Sequence, residues 1–495
     1  MERMKIILIV GLLLFAIFFS LQLMYLFLSL KLSKPDKNPS RKDVPQQKLT
    51  ILVPAYNEEM VLRSCLDGFR NLVYRNYELI IINDGSKDGS IPLLMDVLQL
   101  RECPLPAMNK LEYEAVKMTY CSDLYPHIHV IDKENGGKAD ALNAGADHST
   151  GDIIITLDAD SVLEKNSLMH INEAMQDPLV IASGGMVHVG QMYKGGHPEF
   201  KGKGLVKYQL SDYMMSFYVK RLVQAKFGLM SVVSGAFGAF RNYALFEVGG
   251  YKKTIGEDME ITLNFQKLIH QKYKNSKMLF VPKAQCYTEV PADFKNLSKQ
   301  RVRWQKGFLD SLRIYNKHKV HNLGMRFVMF LVLDALLPGV VGIVTTFALI
   351  VSLFTGDLVG LTLILLIMTA TLQISLRLTA YRIARQYDHR YSIADYAKIF
   401  IFSIFEYPTY RMLDTYYFVY GSVAYLFQHN HSWNKVERTG LVSIYPENLA
   451  VNGVPEVLQV AHAMVVDTVL ETLEKVESVE SNETQKTNEG VKKVG

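Results

Sequence analysis

Charge is scarce in this sequence: 21% of its 495 residues are Asp, Glu, Lys or Arg, against 49% that are hydrophobic. That ratio is too apolar for an ordinary soluble chain of two domains, so the apolar excess must be concentrated somewhere. Cysteine is scarce too. Its four copies, Cys65, Cys103, Cys121 and Cys286, form no pair a few residues apart, which excludes a zinc-ribbon type of site and leaves reduced structural thiols as the expectation. The formal net charge is only +5 and the cations gather beside apolar runs, which excludes nucleic acid as a partner. No segment repeats at a fixed period.

What the sequence has in quantity is long apolar runs. Ile6 to Leu30 holds no charged residue, and its 25 residues, at a rise of about 1.5 Å each, cross a hydrocarbon core of about 30 Å. A cleaved signal peptide would end in small residues. This run passes straight into Lys31, Lys34 and Lys37, so a retained N-terminal transmembrane helix over residues 1–30 is expected, with its cations on the cytoplasmic side. Residues 31–48, rich in Lys, Pro, Asn and Gln, read as a basic juxtamembrane linker.

Residues 323–430 read as a membrane region. Spans of 327–354 and 358–376 are joined by Thr355-Gly356-Asp357 as a hairpin, and Arg377, Arg382, Arg385 and Arg390 predict a cytoplasmic return. The segment 397–427 is long enough for a third span, yet holds Glu406, Pro408, Arg411 and Asp414, so interfacial helices are the alternative. Asp334, Glu406 and Asp414 either line a path or pair inside the bundle. In the tail, residues 431–495, Val457, Leu458, Ala461, Val465, Val469, Leu473 and Val476 recur at helical spacing ahead of a polar end expected to be disordered.

Between the membrane segments, residues 49–322 show short apolar strands alternating with helical patterns, which predicts a parallel sheet covered on both faces. Ligands of such sheets bind beyond the carboxyl ends of the strands. Leu49 to Val53 is followed by Asn57 and Glu58. Leu79 to Ile82 is followed by Asp84 in a glycine-containing turn, and Ile153 to Leu157 delivers Asp158-Ala159-Asp160. Two carboxylates two residues apart suit a hard divalent cation, Mg²⁺ or Mn²⁺, bridging the phosphates of a nucleotide. Gly136-Gly137-Lys138 at a helix start suits an anionic ligand. Taken singly, each of these is also an ordinary turn or helix cap. Ser234 to Arg241, Asp212-Tyr213 and Arg221 are weaker candidates for the walls of the same site.

In their order, these residues resemble the inverting glycosyltransferases of family 2 with the GT-A fold, over about residues 49–308. The resemblance implies an α/β, Rossmann-like cytoplasmic domain joined to α-helical transmembrane segments in the cell membrane. It further implies Asn57, Glu58, Asp84 and Lys138 on a nucleotide-sugar donor, Asp158 and Asp160 as donor and metal ligands, and Asp258 of Glu257-Asp258 as general base with Glu257 toward the acceptor. Gln300-Arg301-Val302-Arg303-Trp304 resembles the signature of processive members, with Gln300, Arg303 and Trp304 on diphosphate and acceptor. An amphipathic interfacial helix is the other account of that segment.

Within the group, the chain is most similar to bacterial poly-N-acetylglucosamine synthases, and more distantly to hyaluronan, chitin-oligosaccharide and cellulose synthases. UDP-N-acetylglucosamine is therefore the expected donor, UDP-glucose the next, and a growing polysaccharide the acceptor. The rivals are single transfer to a lipid acceptor and a non-catalytic assembly subunit; an accessory membrane or export subunit is kept open as a partner. Gly256 stands where many relatives have Thr, and one N-terminal span is evident where many have two.

Overall fold

The computed structural model describes residues 2–33, 44–315, 319–356 and 359–427. Most of the expected basic linker and all of the expected C-terminal helix and polar tail lie outside these residues.

The strands that look most apolar in sequence form the centre of one mixed sheet. β1 (Leu49–Ala55) lies between β2 (Tyr77–Asp84) and β6 (Ile153–Leu157), parallel to both. With β3 (Leu100–Glu102), β4 (Val116–Ser122), β5 (Ile128–Lys133), β7 (Val162–Leu163), β8 (Val180–Val189), β11 (Phe237–Arg241) and β12 (Lys277–Thr288), the order is β3-β4-β5-β2-β1-β6-β11-β8-β12-β7. A small hairpin, β9 (Tyr193–Lys194) with β10 (His197–Pro198), stands apart. β6 is buried at all five positions and β8 at all ten, as a sheet covered on both faces requires.

The sheet is parallel from β5 to β6 and again between β8 and β12; β11 runs antiparallel to both β6 and β8. Phe-Gly-Ala-Phe-Arg of β11 has weak strand propensity, and its place depends on the apolar walls of its two neighbours. The cysteine expectation is also corrected. Cys103 and Cys121 form a disulfide, while Cys65 and Cys286 are free and buried. Antiparallel pairing of β3 with β4 brings the two together, a register that their sequence separation of 18 does not reveal.

Among the described residues three helices are long and apolar enough to cross a membrane: Ile9–Leu32, Met325–Thr355 and Val359–Tyr387. The second contains a π turn at Val332–Leu336, ahead of Pro338, whose missing N–H cannot bond to the carbonyl of residue 334. The fourth, Ile393–Phe427, carries Glu406, Arg411 and Asp414 and is not in that group. Buried polar contacts tie these helices to one another and to the sheet domain. Asp334 accepts from Tyr25 at 2.9 Å and from Gln224 at 3.0 Å, and Glu406 pairs with Arg377, both wholly buried. Pairing inside the bundle is thus what Asp334 and Glu406 do; Asp414 is paired too, to Arg411, but at the wall of a cavity.

Candidate active site

Because β5, β2, β1 and β6 are parallel, their carboxyl ends open on one edge of the sheet, and a cavity of about 660 Å³ lies there. Asp84 ends β2 and is buried, and its carboxylate accepts from Lys133 Nζ at 2.9 Å and from the N–H groups of Gly136 at 3.0 Å and Gly137 at 2.7 Å. It thereby fixes the loop that starts the helix Lys138–Asp147. Glu58 lines the cavity, but Asn57 does not. The Asn57 N–H donates to Ser86 Oγ at 2.8 Å and its Oδ1 accepts from Lys87 N at 2.7 Å, so it clamps the turn after β2.

Lys138 joins the two acidic motifs. Its ammonium lies 2.6 Å from Asp158 and 3.1 Å from Glu257. Burial alone would lower its pKa; the charges of Asp158 and Glu257 outweigh that and raise it. Asp160 is nearly buried and accepts from Thr288 Oγ1 at 3.2 Å. Asp158 and Asp160 offer only oxygen donors, in a cavity that carboxylates also line at Glu58, Asp212, Glu257, Asp258 and Glu289. Such a set fits Mg²⁺ or Mn²⁺ held by one or two carboxylates together with substrate phosphates. Among the described residues no group of three or more His, Cys, Asp and Glu could hold a metal without such help.

Glu257 and Asp258 open the helix Glu257–Gln271, where the dipole favours negative charge. The Asp258 carboxylate accepts from its neighbour Met259 N at 2.8 Å and from Gly235 N at 3.4 Å. Burial raises its pKa and the charge of Glu257 raises it further, against the pull of Lys138 and the two N–H groups. Arg221 also lines the cavity, and burial lowers its pKa to about 10, so it remains a cation at neutral pH.

The helix Phe294–Ile314 closes the cavity, capped at its start by Asp293, which accepts from Asn296 N at 2.9 Å. Gln300, Arg303 and Trp304 all line the cavity. Gly256 and Gly307 leave each other no room: a Cβ on Gly307 would lie 2.9 Å from the Gly256 Cα, and one on Gly256 would lie 3.0 Å from the Gly307 Cα. The two backbones touch, so the acidic motif and the Gln300–Trp304 helix sit side by side with no room for a side chain between them.

A second cavity, of about 630 Å³, lies among the apolar helices. Its walls are neutral hydroxyls and amides, such as Thr345, Thr369 and Gln373, mixed with Phe18, Leu349 and Leu366. Arg301 and Trp304 line both cavities. Asp414 lines the second, held by Arg411 at 3.0 Å and by the Tyr208 hydroxyl.

The sequence reading missed Lys133, wholly buried between Asp84 and Asp140 at 2.9 and 2.6 Å, because its partner depends on the β2/β5 register. It also missed Thr288 and Glu289, which reach the cavity from β12. A strand end before a polar pair was the available signal.

A sheet of this order, with acidic motifs at its parallel edge, is that of a GT-A glycosyltransferase. Residues 153–379 match the family described as glycosyl transferase family group 2, and residues 50–106 match glycosyl transferase family 2. The chain thus carries family 2 glycosyltransferase domains over residues 50–106 and 153–379. It is 26% identical over 278 residues to the poly-beta-1,6-N-acetyl-D-glucosamine synthase of Staphylococcus aureus (strain COL), covering 55% of this chain and 57% of that protein. It is 25% identical over 264 residues to the synthase of the same name from Staphylococcus epidermidis, covering 52% and 54%. The chain thus matches somewhat over half the length of these curated relatives. In fold it is similar to mannosyltransferase PcManGT from Pyrobaculum calidifontis in complex with GDP-Man and Mn²⁺, with a TM-score of 0.51 at 16% identity, covering 86% of this chain and 100% of that one.

Proposed function

We propose that this chain is a membrane-bound, processive, inverting glycosyltransferase that extends a β-linked polysaccharide from a UDP-sugar and passes the product into the membrane cavity. UDP-N-acetylglucosamine is the first-choice donor, in keeping with the polymer for which the curated relatives are named, and UDP-glucose the second. The observation that carries the reading is the wall of Arg301 and Trp304 shared by the two cavities, one rich in charge and the other in neutral hydroxyls.

In the transfer, Asp258 takes the proton of the acceptor hydroxyl, whose oxygen bonds to the anomeric carbon as the bond from that carbon to the diphosphate breaks. Inversion follows from attack opposite the departing UDP. The burial that raises the pKa of Asp258 makes it a stronger base than a surface aspartate, while Lys138 and the N–H groups of Gly235 and Met259 pull in the other direction. Glu257 orients the acceptor. Asp84, Asn57 and Glu58 shape the nucleotide end, with Asp84 acting through the loop it anchors. Lys138 and Arg303 face the diphosphate, and Gln300 and Trp304 take the acceptor, Trp304 by stacking. Asp158 and Asp160 would hold Mg²⁺ or Mn²⁺, which neutralises charge on the leaving diphosphate when bound; Mn²⁺ accompanies GDP-Man in the mannosyltransferase. The cations after the first helix support a cytoplasmic catalytic domain in a multi-pass cell-membrane protein.

A second reading, transfer of one sugar to a lipid acceptor, is favoured by the apolar share of the membrane cavity, with Phe18, Leu349 and Leu366. One experiment separates the two. Purified protein in lipid receives Mg²⁺ or Mn²⁺ and, separately, radiolabelled UDP-N-acetylglucosamine, UDP-glucose or UDP-glucuronate. A high-mass product from one donor is expected; a single labelled sugar on lipid would replace the first reading with the second. An accessory membrane subunit, added back from the native membrane, is the control for silence.

A further inference from the structure

Arg301 stands between the signature residues Gln300 and Arg303, and with Trp304 it is common to both cavities. Its guanidinium is held on two sides. One terminal nitrogen pairs with Asp212 at 3.0 Å, and the plane lies 4.5 Å from the Trp304 ring, with the Tyr208 ring at 6.0 Å. The other terminal nitrogen and Nε are buried and meet no acceptor among the described residues. Buried donors are nearly always satisfied, so an arginine with two idle N–H edges at the wall between two cavities points to an acceptor that arrives during the reaction cycle.

The surrounding charges define that acceptor. Asp212 balances Arg301, and on the membrane side Asp414, which also accepts from the Tyr208 hydroxyl, balances Arg411. With the local charge already offset, the idle edge has no further anion to neutralise. A planar pair of donors then suits the neutral oxygens of a sugar, hydroxyl or amide carbonyl, and Trp304 beside it offers the flat face a pyranose stacks on. We propose that Arg301 is a product-binding residue that takes hold of the newly added, uncharged sugar unit as it leaves the catalytic cavity for the membrane cavity. The inference rests on the processive reading above.

Arg301→Lys tests it, since a lysine keeps the charge opposite Asp212 and removes the forked edge. Arg301→Met removes both. Polymer length, UDP released and donor KM are measured for each with UDP-N-acetylglucosamine, beside the wild type. Both variants are expected to make polymer at least tenfold shorter per UDP released, with a change in donor KM of under threefold. Full-length polymer from Arg301→Lys would overturn the proposal, and so would a parallel loss of length and donor binding, which a merely structural arginine gives. Polymer from neither wild type nor variants would overturn the processive reading itself, and this inference with it.

Discussion

The two cavities are nearly equal in size, about 660 and 630 Å³, and opposite in chemistry. The one at the sheet edge gathers carboxylates and cations on loops that rigid strands deliver, and its charges are tied in pairs: Lys138 to Asp158 and Glu257, Lys133 to Asp84. The one among the helices is lined chiefly by threonines, glycines and apolar side chains, with charge confined to the end where Arg301, Arg411 and Asp414 lie. Bond making needs fixed charge in a closed space, and transit of a neutral chain needs walls that bind it weakly. On the function proposed above, the contrast gives chemistry to the first region and passage to the second.

The sharpest way to break this division is to remove the base. Asp258→Asn is expected to lower transfer by about 10²–10⁴-fold or more with UDP binding nearly intact; turnover near the wild-type rate would take Asp258 out of the role. The acid limb of the pH–rate profile refines this. Activity requires the ionised carboxylate and falls as pH drops through its raised pKa. Glu257 raises that pKa, so Glu257→Gln should move the acid limb to lower pH, whereas Lys138→Met should move it up.

Asp160→Ala comes next, with loss of metal-dependent donor binding; unchanged Mn²⁺ dependence would refute its ligand role. Trp304→Ala should then shorten the polymer more than it weakens UDP binding. Within the membrane region, Arg377→Leu strands the buried Glu406 carboxylate and should cost about 3–5 kcal/mol of stability, which a paired Glu406→Leu change should largely restore. Gly307→Ala presses on the Gly256 backbone and should cost about 1–3 kcal/mol along with much of the activity.

How much of this was legible in the sequence follows the same division. β1, β2 and β6 could be read because a strand buried on both faces is an unbroken apolar run, and their ends marked the acidic motifs. β11 could not, since Gly238 and Ala239 carry little strand signal and depend on neighbours far away in sequence. Lys133 and the Cys103–Cys121 pair were hidden for a related reason, as each depends on strand register. The apolar helices were plain from length alone. Glu406 and Asp414, eight positions apart on one helix, read alike in sequence and both are paired, to Arg377 and Arg411; only packing separates the one buried in the bundle from the one at the cavity wall. The disulfide carries a small check of its own. Protein unfolded directly in an alkylating agent, without reductant, should take up the label at two thiols, Cys65 and Cys286; labelling at four would mean that the pair is reduced where the domain resides.

The division between chemistry and passage is tested most directly in sealed vesicles whose outward-facing catalytic domains alone can reach added, labelled UDP-N-acetylglucosamine. The polymer made should resist a glycosidase added outside until detergent opens the vesicles. Polymer digested at once, without detergent, would show that the product never enters the membrane cavity and would contradict the account.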